Sequence, residues 1–165
     1  MIFPVALLVT GSRSLAKDPK AEAWARAILA EVIGTLPPKS LLIHGGAVGP
    51  DSWAHWILDG RSKEPGVRLW SYCYHPDGRL SRTAIMDGAA WNVGKTRWHD
   101  DDPGPPARNR HMVNVEMPAL VGRGYEPRVL ALVDSTSRTN GTGHTVGLAR
   151  KAGYPVDRRV WEVKP

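Results

Sequence analysis

Four short segments of this chain carry glycine, hydroxyl, arginine and amide groups at spacings suited to holding an anion. The first is Gly11-Ser12-Arg13, directly after an apolar run. Glycine lets the backbone approach a ligand, a serine hydroxyl donates to an oxygen, and arginine pairs bidentately with a phosphate. The second is His44-Gly45-Gly46-Ala47-Val48-Gly49-Pro50-Asp51, with three glycines between a short apolar run and a helical pattern. Such a loop offers exposed N–H groups and the positive end of a helix dipole. His44 also suits a core position, and Asp51 a helix cap. The third is Gly104-Pro105-Pro106-Ala107-Arg108-Asn109 at a helix start, where arginine and an amide suit phosphate and a sugar or base edge. The fourth is Asn140-Gly141-Thr142-Gly143-His144-Thr145, whose hydroxyls and free N–H groups would cradle a phosphate.

None of the four is a named phosphate motif taken alone. The glycine spacing at 45–49 is not G-x-G-x-x-G, and no Lys-Ser/Thr pair follows it as in a P-loop.

The elements that must position these segments follow from the hydrophobic pattern. Val5 to Val9 is unbroken and apolar, as in a strand covered on both faces. Pro19 to Ile33 repeats apolar residues at three- and four-residue steps, starts after Asp18 and stops at Gly34. Ser40–His44 reads as a strand, Asp51–Leu58 as a helix and Val67–Tyr74 as a third strand. From His75 to Pro106 regular patterning is lost, which predicts an irregular functional loop or lid. A helix over 107–121, a strand over 128–133, a helix over 143–152 and a last strand over 156–163 complete the chain. This alternation predicts one Rossmann-like, three-layer α/β domain spanning 1–165. Its sheet is expected to be mainly parallel and five-stranded, with helices on both faces and the loop inserted at about 75–106. All four candidate segments then fall beyond the carboxyl ends of strands, where an open α/β sheet holds its ligand.

In this order, the segments resemble the SLOG superfamily. The resemblance rests on Gly11-Ser12-Arg13, then His44-Gly45-Gly46-Ala47 with Gly49 and Asp51, then Gly104 with Arg108-Asn109 and Met112. It continues through Gly141-Thr142 before Ala149-Arg150-Lys151-Ala152-Gly153-Tyr154-Pro155-Val156. That superfamily includes the DNA-processing protein DprA and the LOG phosphoribohydrolases. The chain looks closest to its small YspA/cpYpsA-related branch, which often carries a tryptophan where Trp98 stands. The resemblance covers about residues 5–157. It implies binding of a nucleotide or nucleotide-derived ligand by Gly11, Ser12, Arg13, Gly45, Gly46, Ala47, Gly49, Asp51, Arg108, Asn109, Gly141, Thr142 and Thr145. It also implies pairing of copies through helices flanking the site.

One departure bears on activity. LOG enzymes carry Pro-Gly-Gly-x-Gly-Thr-x-x-Glu; here no double glycine precedes Gly141-Thr142, and Thr145 stands at the glutamate position. The carboxylate needed to activate water or steady an oxocarbenium-like sugar is missing there, which counts against LOG-type hydrolysis. A nucleotide hydrolase or glycosidase would have to draw its acid or base from Asp51, Glu116, His144 or Asp100-Asp101-Asp102. Single-stranded DNA binding in the manner of DprA is the third reading; the net charge of +6 suits it, but the basic residues are scattered.

Other chemistry is less supported. His44, His75, His99, His111 and His144 show no dedicated metal spacing, so no structural metal is expected. Mg²⁺ brought by a phosphate ligand would find carboxylates at Asp51 or Asp100 to Asp102. Ser12 lies on no nucleophile elbow. Of seven tryptophans, Trp24 and Trp53 fall on core-facing stripes, leaving Trp91 and Trp98 as candidates for stacking on a base. The single cysteine, Cys73, excludes an intramolecular disulfide and points to a cytoplasmic setting. The apolar N-terminal run is too short for a signal peptide or a membrane span. For the arginines, the expectation is that Arg13→Ala and Arg108→Ala abolish ligand binding and leave the fold intact.

Overall fold

The computed structural model describes residues 1–86, 88–98, 104–137 and 140–164. The chain runs β1 (Val5–Gly11), α1 (Pro19–Gly34), β2 (Leu41–His44), α2 (Pro50–Gly60), β3 (Arg68–Tyr74), β4 (Arg79–Met86) and β5 (Ala89–Arg97). It continues through α3 (Pro105–His111), a π-helical turn (Met112–Glu116), α4 (Met117–Gly122), β6 (Glu126–Asp134), α5 (Asn140–Lys151) and β7 (Val156–Trp161). All seven strands form one sheet in the order β5-β4-β3-β2-β1-β6-β7.

The five expected strands make its parallel part, through the pairs β3–β2, β2–β1, β1–β6 and β6–β7. The other two correct the expectation. The sheet is mixed and seven-stranded, not five-stranded, because β4 and β5 add antiparallel to β3 within the stretch read as an irregular insertion at 75–106. Gly78 and Gly88, both at positive φ, turn the chain into each of them.

The layers follow from the alternation of side chains along β1. Val5, Leu7 and Val9 point to one face and pack with Ala21, Ala25, Ile28 and Leu29 of α1 and Trp53, Ala54 and Leu58 of α2. Ala6 and Leu8 point to the other, against Met112, Val113, Met117 and Leu120 of the α3–α4 run and Ala149 of α5. The result is a Rossmann-like α/β arrangement with helices on both faces. At its start α1 is capped by Asp18, whose carboxylate accepts from the Lys20 N–H at 2.9 Å. Between α3 and α4 the helix widens into the π turn just before Pro118. A proline lacks an N–H and its ring crowds the carbonyl four residues back, and the turn before it takes the wider register, with the Met117 N–H bonded to the Met112 carbonyl. Among the described residues, no helix is long and apolar enough to cross a membrane.

Candidate functional site

Strand order reverses direction at β1: β2 and β3 lie to one side, β6 and β7 to the other. Loops leaving β1 and its neighbours therefore diverge, and an open α/β sheet forms its crevice at such a point. A cavity of about 230 Å³ sits there. Thr10, Gly11 and Arg13 line it from the end of β1, Ala47 and Asp51 from the loop and first turn after β2. Arg108 and Asn109 come from α3, and Gly141 and Thr142 from the first turn of α5.

The side chains around it are locked together across three segments. Arg108, only 7% exposed, donates through Nη1 to the Gly45 carbonyl at 3.0 Å and through Nε and Nη2 to Asn109 Oδ1 at 3.3 and 3.2 Å. Asn109 in turn donates through Nδ2 to the Gly141 carbonyl at 3.3 Å. So α3 ties the glycine loop after β2 to the start of α5. Asp51, 4% exposed, accepts the Gly45 N–H at 3.0 Å. Burial pushes its carboxyl up to about 6, with the nearby Arg108 charge and backbone N–H groups opposing the rise. Burial likewise draws the Arg108 guanidinium down, against the attraction of Asp51.

The sequence-predicted residues divide on this geometry. Gly11, Arg13, Ala47, Asp51, Arg108, Asn109, Gly141 and Thr142 line the cavity. Ser12, Gly45, Gly46, Gly49 and Thr145 do not; they build its surroundings. Buried Ser12 donates to Ser137 Oγ at 2.8 Å. Gly45 has no room for a side chain, since a Cβ would lie 2.5 Å from Arg108 Cζ. Gly49, at a φ of +101, precedes α2 as its N-cap, so the cap is not Asp51. Thr145 donates to the Gly141 carbonyl at 3.2 Å and is buried within α5. Arg108 corrects one further expectation: a side chain so enclosed and bonded serves the fold as well as any ligand.

Two residues escaped the sequence reading. Thr10 ends an apolar strand run, and only its position at the strand's carboxyl end marks it. Asp134 ends β6 and accepts from the Ser14 hydroxyl and from Thr136 Oγ1 and N–H, at 2.7 and 2.9 Å for Thr136. Burial alone would raise its pKa, yet these hydrogen bonds hold it below the usual carboxylate range. It ties the loop after β1 to the loop after β6.

Gly11 is packed tightly against the neighbouring segments. A Cβ there would lie 2.3 Å from Pro50 Cγ and 2.7 Å from the Leu132 carbonyl oxygen, neither of which can swing aside. Gly11→Ala is expected to cost about 1–3 kcal/mol through this overpacking. An unchanged denaturation midpoint would mean that the Pro50 loop yields freely.

Of the acid–base candidates, Asp51 lines the cavity. Glu116 accepts a hydrogen bond from the Tyr74 hydroxyl on the α3–α4 face of the sheet, and His144 sits half-buried on α5. His99 and Asp100-Asp101-Asp102 lie outside the described residues. Among the described residues, no group of three or more His, Cys, Asp or Glu is arranged to hold a metal ion. Trp24 and Trp53 pack on the α1–α2 face. Trp98 is partly buried against the other face, donating its indole N–H to the His75 carbonyl at 2.8 Å, whereas Trp91 is exposed on β5. Comparison of the chain with known protein families, with curated proteins and with solved structures finds no match.

Proposed function

We propose that this chain binds a nucleotide or nucleotide-derived ligand at the switch-point cavity, in a cytoplasmic sensing or processing role. The observation that carries the reading is the convergence there of two arginines and a helix start. Arg13 is exposed and makes no hydrogen bond to the other described residues, so its guanidinium is available to a phosphate. The first turn of α5 adds N–H groups without intrahelical acceptors. The resemblance to the SLOG superfamily, with its nucleotide ligands, supports the same reading. Thr145 at the glutamate position favours binding over LOG-type cleavage of an N-glycosidic bond.

A thermal-shift panel of mononucleotides, dinucleotides, cyclic nucleotides and ADP-ribose derivatives tests this. A ligand at about 100 times its Kd adds about 2.7 kcal/mol, which for a chain of this size raises Tm by about 5–10 °C. Arg13→Ala should leave the unliganded Tm unchanged and weaken the responding ligand by about tenfold or more, as loss of a charge-assisted contact requires. A panel without any shift overturns the proposal.

Asp51 supports a second reading, turnover of the bound nucleotide. A carboxyl titrating at about 6 inside a ligand cavity is poised for general acid–base work. Chromatography after prolonged incubation should then show released base or phosphate from the wild type and none from Asp51→Asn.

A further inference from the structure

A second cavity, of about 250 Å³, opens on the other side of the glycine loop, between α2 and strands β3 and β4. Ser71 and Cys73 of β3 face it beside their register partners Thr83 and Ser81 of β4, and His55 and Trp56 of α2 rise opposite. The two cavities are one residue apart: Gly46 lines this one and Ala47 the other, and Ser52 and Asp51 divide in the same way. Gly46 is required for the opening. Its φ is +66, and a Cβ would lie 2.7 Å from Cys73 Sγ.

Their chemistry differs. The switch-point cavity holds two arginines and an aspartate; the second is lined by imidazoles, hydroxyls, a thiol and an indole, with no Asp, Glu, Lys or Arg. Burial keeps His44, His55 and His75 below the ordinary histidine range, so all three are neutral at pH 7, and it pushes the Cys73 thiol up to about 12. The hydrogen bonds set the tautomers. His44 Nδ1 accepts the Gly46 N–H at 3.1 Å, so the ring's own proton is on Nε2, which donates to Ser71 Oγ at 3.1 Å. Ser71 spends its hydroxyl proton on His55 Nδ1 at 2.9 Å. His55 is therefore left with an Nε2–H donor, Thr83 adds a hydroxyl, and Ser52, whose proton goes to the Gly49 carbonyl at 3.1 Å, adds an acceptor oxygen.

An anion in this cavity would find no formal charge to pair with, and a hydrocarbon would strip water from imidazoles and hydroxyls without replacing its hydrogen bonds. A flat, uncharged ring with N–H and C=O edges meets neither penalty, and Trp56, 60% exposed at the rim with the Arg26 guanidinium over its ring at 5.9 Å, brings an indole to the wall. We infer that this second cavity seats the heterocyclic base of the nucleotide whose phosphate lies in the switch-point cavity, the ligand crossing the Gly46–Ala47 backbone. The inference rests on the proposed function and adds that the ligand is recognised by its base and not by phosphate and sugar alone.

Calorimetry with ribose 5-phosphate and with AMP, GMP, CMP and UMP separates the two. Wild type should bind at least one mononucleotide about tenfold or more tightly than ribose 5-phosphate. Thr83→Phe, which fills the second cavity, should bring that nucleotide down to the ribose 5-phosphate level and leave ribose 5-phosphate itself unchanged. His55→Ala, which creates no overpacking, should act in the same direction. The imidazole ¹H–¹⁵N signals of His55 and His75 should move with the nucleotide and stay in place with ribose 5-phosphate. Equal wild-type affinities, or a preference that survives both variants, overturns the base compartment and leaves the phosphate site standing. Binding of neither ligand class overturns the base compartment, and together with a flat thermal-shift panel it overturns the phosphate reading as well.

Discussion

Asp51→Asn is expected to stabilise the protein by about 3 kcal/mol at pH 8 and to have almost no effect at pH 4. In the folded chain the Asp51 carboxyl titrates at about 6, against an ordinary value of 3.8. A folded pKa above the unfolded one means the native state holds the proton more tightly. The stability from this group is then fully present below about pH 4 and is lost as pH rises through 6. At pH 8 the wild type buries a carboxylate that Arg108 and a few N–H donors compensate only in part. Asparagine retains an oxygen for the Gly45 N–H, 3.0 Å away in the wild type, and carries no charge to desolvate. The gap between the two proteins should therefore open between pH 4 and 7 and stay constant above, reaching a Tm difference of about 6–12 °C for a chain of this size. Melting curves at pH 4.5, 6 and 8 decide it: parallel Tm profiles would mean that Asp51 ionises in the fold without penalty. A carboxyl retained at such a cost, on the wall of the cavity, is the pattern expected where function and stability compete.

How far the sequence reveals this arrangement depends on whether each feature is local. β1, β2 and β6 are buried along most of their length and announce themselves as apolar runs, while β3 is half-buried but rich in aromatic residues. β5 does the opposite. Its residues Trp91, Asn92, Val93, Lys95, Thr96 and Arg97 are exposed, so no alternation is imposed and the segment reads as a loop. Missing β5 also hides β4, and with it the second cavity. Ser71 and Cys73 on one strand, and Ser81 and Thr83 on the next, are polar at a period of two, a signal that acquires meaning only once those strands are paired. The switch-point residues are easier to find, because glycine and arginine directly beyond a strand end stand out in the sequence itself. Even so, Asp51 reads locally as a helix cap. Its actual partner is the N–H of Gly45, six residues earlier, and its titration is set by burial in the fold, opposed by Arg108, far away in sequence. Ser12 and Thr145 have the right chemistry but spend it on protein partners, Ser137 and Gly141.

Arg108→Ala should lose both the proposed phosphate ligand and a large part of the protein's stability, on the order of 3 kcal/mol at pH 8, because truncation leaves buried acceptors unpaired and removes the cation near Asp51. The Gly45 carbonyl and Asn109 Oδ1 lose their donors, and Asp51 loses the nearby cation that opposes its desolvation. The sign of the pH dependence follows. Without the cation, the Asp51 pKa moves further above 6, so stability continues to fall with rising pH beyond the point where the wild-type curve levels. The deficit is therefore largest at pH 8 and narrows towards pH 5, where the carboxyl takes up a proton and no longer needs a counter-ion. Arg108→Lys restores the charge but cannot serve the Gly45 carbonyl and Asn109 together, and it should recover only part of the loss. The double variant Asp51→Asn/Arg108→Ala separates the two roles. Removing both charges takes away the uncompensated carboxylate, so its Tm at pH 8 should rise well above that of Arg108→Ala, with a coupling between the sites of about 1–3 kcal/mol. Phosphate binding should not return with it. A double variant as unstable as Arg108→Ala would place the cost in the lost hydrogen bonds to Gly45 and Asn109. A double variant that is stable and binds nucleotide would remove Arg108 from the phosphate site altogether.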